Sequence, residues 1–82
     1  MALIDDVRGL LRKKFRGATV KIAPFAGGRV GGTLIWDGFE GQAQIDRQTA
    51  LREIIDTMPR DQQLKVSFIL TLTPDEQAAL TK

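Results

Sequence analysis

Leu64-Lys65-Val66-Ser67-Phe68-Ile69-Leu70-Thr71-Leu72-Thr73-Pro74-Asp75-Glu76 contains a strand pattern and a helix start back to back. Leu64, Val66, Phe68, Leu70 and Leu72 recur at period two, the spacing of a strand with one buried face. The alternation predicts a strand over residues 64–72 that turns those five inward and Lys65, Ser67, Ile69 and Thr71 outward. At Thr73 the pattern changes. Thr73-Pro74-Asp75-Glu76 is a capping box with proline at the first helical position, so a short helix follows through Ala78 and Leu80.

Working back from this strand, Leu51, Ile54, Ile55 and Met58 fall at i, i+3, i+4 and i+7 and predict a helix over residues 46–57. Asp46 is its expected N-cap and Pro59 its terminator, with a turn over residues 59–62. Upstream, residues 19–25 alternate with Val20 and Ile22 on one face, and residues 33–36 form an apolar run closed by Asp37-Gly38. These two read as paired strands. Between them Ala26-Gly27-Gly28-Arg29-Val30-Gly31-Gly32 predicts a long, mobile hairpin loop. Ile4, Val7, Leu11 and Phe15 give a first helix over residues 3–15, with acids in its first turn and bases at its end, as the helix dipole favours. The order is αββαβα: an α+β fold, a three-stranded sheet with helices packed on one face, and a single domain over residues 1–82.

Composition narrows function. The 82 residues include no Cys and no His, so there is no thiolate nucleophile, imidazole base, cysteine-ligated zinc or cluster, or histidine-ligated metal. No run of acidic oxygens resembles a calcium loop. A binding protein without metal ligands is expected, in preference to an enzyme. No stretch approaches the roughly 18 apolar residues of a membrane span, and Met1-Ala2-Leu3-Ile4 runs into Asp5-Asp6 without a signal-peptide pattern, so the expected compartment is the cytoplasm.

The order of elements, the tract Trp36-Asp37-Gly38-Phe39-Glu40-Gly41 followed by Asp46-Arg47, and the ending Leu70-Thr71-Leu72-Thr73-Pro74-Asp75-Glu76 together resemble BolA-like proteins over nearly the whole chain. The resemblance implies a small fold related to the class II KH domain. Members usually carry a histidine after the arginine of the second helix, where this chain has Gln48, and another opening the third strand, where it has Lys65. Their hairpin loop often offers a further His or Cys; here it offers Arg29. In the family the third-strand histidine and the loop residue are implicated in a [2Fe-2S] cluster shared with a monothiol glutaredoxin. Lysine and arginine are cations with no free lone pair, so this chain cannot supply those ligands. The resemblance therefore implies a regulatory binding protein with no cofactor of its own. It partners another protein, with a monothiol glutaredoxin as the candidate, through the matching positions Arg29, Arg47, Gln48 and Lys65.

Charge gives an alternative. The formal net charge is +2, yet residues 1–32 hold seven basic side chains against two acidic, while residues 33–82 hold five against eight. Arg12, Lys13, Lys14 and Arg16, with Lys65, are the expected phosphate-binding set of a KH-like nucleic-acid-binding regulator. The same bases also suit a solvated helix end. Gly28-Arg29-Val30-Gly31 matches the GxxG clamp of KH domains but lies in a strand-strand hairpin, where that clamp joins two helices. Trp36 and Phe39 are expected to be core residues. Ile69 is the odd apolar member of the outward strand face. Beside Val30 or Ile35 it would belong to a docking patch, unless the chain itself covers that face.

Overall fold

The computed structural model describes residues 3–80; Met1 and Ala2, on which the leader reading partly rests, lie outside the described residues. The elements run α1 (Leu3–Lys14), β1 (Thr19–Phe25), β2 (Arg29–Ile35), α2 (Gln44–Ile55), α3 (Arg60–Gln63), β3 (Val66–Leu72) and α4 (Pro74–Leu80). The sheet order is β1-β2-β3, with β1 antiparallel and β3 parallel to the central β2. A parallel pair needs a crossover, and α2 with the single turn α3 supplies it. The fold class is α+β, as the periodicities predict.

One face of the sheet carries the core. Val7 and Leu11 of α1 and Leu51 of α2 pack with Val20, Ile22, Val30, Leu34, Phe39 and Ile69. Burying a Leu or Phe fully contributes roughly 1.5–3 kcal/mol, so these contacts hold the helices on the sheet. Phe15, Trp36 and Phe39 form an aromatic triad with centroids 5.1–5.6 Å apart. The Trp36 indole Nε1 donates to the Arg16 carbonyl at 2.9 Å, which ties the end of α1 to the β2 exit.

Four local expectations are corrected. The hairpin is tight, because Ala26–Gly28 forms a single 3-10 turn and residues 29–32 belong to β2. Gly27 and Gly28 sit at φ +77° and +74°, a left-handed pair that reverses the chain in few residues. Gly31 and Gly32 serve close strand approach instead. A Cβ on Gly31 would lie 2.7 Å from the Phe68 carbonyl oxygen, and one on Gly32 would collide with the Lys21 carbonyl.

The second correction is at α2. It begins at Gln44, and Ala43 occupies the N-cap position without a side-chain cap bond. Asp46 lies inside the first turn, where its charge still favours the dipole. Third, the turn expected after Pro59 closes into the one-turn helix α3. The Gln63 side chain donates to the Asp56 and Met58 carbonyls there, satisfying the end of α2.

The fourth correction concerns β3. Val30 pairs with Val66 but Gly32 pairs with Ile69, so β3 holds one extra residue at a bulge. An extra residue inverts the alternation. Val66 packs against the core before the bulge; after it Ile69, 2% exposed, and Thr71 face the helices, while Phe68 is 62% exposed. Leu64 lies before the strand, also exposed. The docking patch centred on Ile69 is therefore excluded, since the chain's own core covers Ile69 and Val30.

Candidate functional site

β3 is an edge strand, and an edge with free carbonyls invites pairing with another chain. Here α2 closes much of it with side chains. Gln48 Nε2 donates to the Ile69 carbonyl and to Thr71 Oγ1, both at 3.1 Å. Gln44 Nε2 donates to the Thr71 carbonyl at 3.0 Å, while the Thr71 hydroxyl donates to Gln44 Oε1 at 2.8 Å. Buried Thr71 is thereby satisfied, which is the condition for a polar side chain in the core. Gln44 and Gln48 stand one helical turn apart, the spacing that puts both on one face of α2.

Arg47 extends the network. Its guanidinium donates through Nη1 to Glu76 Oε1 at 2.7 Å and through Nη2 to Glu76 Oε2 at 3.3 Å. Nε donates to the Gln42 carbonyl at 3.0 Å, and the guanidinium carbon lies 5.7 Å from the Phe39 ring centroid. Arg47 is 5% exposed. Glu76 is also the acid of the α4 capping box, accepting from the Thr73 N–H at 2.9 Å while its own N–H donates to Thr73 Oγ1 at 3.2 Å. The Arg47 hydrogen bond, followed by the Thr73 backbone bond, holds the Glu76 carboxyl below its ordinary value.

At the hairpin end the picture is different. The Val30 N–H donates to the Lys65 carbonyl at 2.9 Å, which places Lys65 beside the Arg29–Val30 step. Arg29 and Lys65 are both exposed, and Phe25, which pairs with Arg29 across the hairpin, is an exposed apolar residue there.

No protein-family model and no curated protein matches the chain. Among solved structures, the crystal structure of a Bol-like protein from Babesia bovis is similar over 96% of this chain and 93% of that one, with a TM-score of 0.70 and 21% identity. The fold is BolA-like.

Set on the BolA-like fold, the four expected partner residues divide into two pairs. Arg29 and Lys65 come together at the exposed hairpin end. Arg47 and Gln48 are turned inward onto β3 and Glu76, so their donors are committed within the chain. The donor chemistry of the hairpin end does not fit an iron–sulfur cluster. Arg29 and Lys65 end in cations, and the Gln48 amide is held by the third strand. Among the described residues, no group of three or more acidic side chains comes together as a metal site either.

The phosphate-binding set also divides. Arg12, Lys13, Lys14 and Arg16 are exposed at the end of α1, just before Thr19, which pairs with Ile35 and through it with Leu72. Lys65 lies at the opposite end of seven-residue strands, about 20 Å away at 3.3 Å per residue. The α1 bases and Lys65 are two separate surfaces. Sequence reasoning missed Gln44 as a network residue, although its i, i+4 spacing to Gln48 was the available signal.

Proposed function

We propose that this chain is a divergent BolA-like protein that acts by binding, without catalysis, and that a protein partner docks on the hairpin end of the sheet. The observation that carries the reading is the exposed juxtaposition of Arg29 and Lys65 on a BolA-like fold. Two cations there suit a partner surface rich in carboxylates, which raises the rate of encounter as well as specificity. A monothiol glutaredoxin in the cytoplasm is the partner this reading names. The complex forms without a cluster ligand from this chain. Arg47 and Gln48 act as positioning residues, fixing β3 and thus Lys65. Titration calorimetry of the wild type and of Arg29→Glu/Lys65→Glu against an apo monothiol glutaredoxin tests the assignment. Binding weakened tenfold or more by the double variant supports it, and unchanged binding rejects it.

One observation favours a second reading. The side chains of Arg12, Lys13, Lys14 and Arg16 are all exposed, and among the described residues none has an acidic partner within ion-pair distance. Four free cations on one helix end suit a phosphate backbone. If nucleic acid binds there, affinity falls steeply with salt and is lost in Lys13→Glu/Lys14→Glu. Undetectable binding at low salt eliminates it.

A further inference from the structure

A groove of about 620 Å³ runs between α2, α3 and β3. Its apolar walls include Ile45, Leu64 and Phe68, which are 74%, 71% and 62% exposed. Exposed apolar side chains gathered along one groove mark an interaction surface more often than chance exposure does. Arg52 and Arg60 stand along the same groove, with Asp56 as its one acid among the described lining residues.

We propose that this groove docks an amphipathic helix of a protein partner, with leucine-like side chains inserted between α2 and β3 and carboxylates facing Arg52 and Arg60. Two features decide the occupant. The outward carbonyls of Ile69 and Thr71 are already taken by Gln48 and Gln44, so an extended peptide cannot add to β3 as a further strand, whereas a helix satisfies its own backbone and enters by side chains alone. Aliphatic side chains supply most of the apolar lining and Phe68 is the one aromatic ring among the described lining residues, whereas a single-stranded nucleic acid would need a row of stacking platforms for successive bases. The inference rests on reading the chain as a protein-binding module and adds a second surface to it, distinct from the Arg29 and Lys65 end.

The probe is a fluorescein-labelled 16-residue helical peptide with leucines at i, i+3, i+4 and i+7 and glutamates on the flanks. A scrambled peptide of the same composition, the same helix with lysines for glutamates, and a labelled oligothymidine serve as comparisons. Anisotropy should show saturable binding of the acidic helix at micromolar concentration, at least tenfold tighter than either control peptide. Phe68→Ser should weaken it about tenfold. Phe68 is exposed, so circular dichroism should show that variant folded. Arg52→Glu/Arg60→Glu should reverse the preference toward the lysine helix. Arg29→Glu/Lys65→Glu, which tests the hairpin-end surface, should bind the acidic helix like the wild type. Unchanged glutaredoxin binding by that variant, with the peptide still bound, would reject the hairpin-end surface and leave the groove assignment standing alone. Equal binding of the scrambled peptide, indifference to Phe68→Ser and the arginine reversal, loss of the peptide in the hairpin-end variant, or oligothymidine competing for the groove would each overturn it.

Discussion

Both terminal nitrogens of Arg47 hold the Glu76 carboxylate, at 2.7 and 3.3 Å, and so join the inner face of α2 to the cap of α4. A residue whose place in the family pattern suggests a partner contact is here an internal clamp. Arg47 also keeps Phe39 and the Gln42 carbonyl in place, which fixes the turn entering α2.

Arg47→Ala should lower stability by roughly 2–3 kcal/mol, since it removes charge-assisted hydrogen bonds and leaves the Gln42 and Thr71 carbonyls without this donor. Urea unfolding measures it. A loss below about 0.5 kcal/mol, the scale of an exposed ion pair, would reduce the clamp to a surface contact.

The same pair sets an acid dependence. Arg47 and then the Thr73 N–H depress the Glu76 carboxyl below its ordinary 4.5. A depressed folded value means that the stabilisation is fully present above the unfolded value and is lost as pH falls through the folded one. The difference in stability between wild type and Glu76→Gln should therefore be constant above about pH 6 and shrink as acid is added below 4.5. A difference that does not change down to pH 2 would show that the carboxylate charge is not involved.

Gln48→Ala should cost roughly 1–3 kcal/mol, because it leaves the Ile69 carbonyl and the Thr71 hydroxyl without a donor beside the core. Gln44→Ala/Gln48→Ala should additionally self-associate in sedimentation experiments, since it uncovers the edge of β3. A double variant that remains monomeric at high concentration would show that the glutamines do not guard this edge.

Glycines separate by what surrounds them. Gly9 lies in α1 with open space where a Cβ would go, so Gly9→Ala should stabilise by about 0.5–1 kcal/mol. Gly32→Ala meets the Lys21 backbone and should cost about 3 kcal/mol or more. Thermal melts of the two variants should shift in opposite directions.

Element types and order were legible because Val7 and Leu11 follow helical spacing, Val20 and Ile22 alternate, and Thr73-Pro74-Asp75-Glu76 carries a cap that the structure reproduces. The facing of β3 was not legible. Leu64 to Leu72 keeps an apolar residue at every second position, with Ile69 the one apolar residue between them, and the bulge that inverts the pattern arises only when β3 is laid against the glycines of β2. For the same reason Ile69 reads as exposed and is buried, while Phe68 reads as core and lines a groove. The family resemblance singles out Arg29, Arg47, Gln48 and Lys65 as expected partner residues. It does not show that two of them turn inward, because that depends on which α2 side chains meet the edge strand.

The proposed function has this chain, with its BolA-like fold, binding a partner without lending a ligand to a cluster. Visible absorption and circular dichroism of a [2Fe-2S]-loaded monothiol glutaredoxin, recorded before and after saturation with this protein in a complex verified by gel filtration, test it most directly. The account predicts a complex whose spectrum is that of the glutaredoxin cluster alone. A new ligand-field spectrum on complex formation would contradict it.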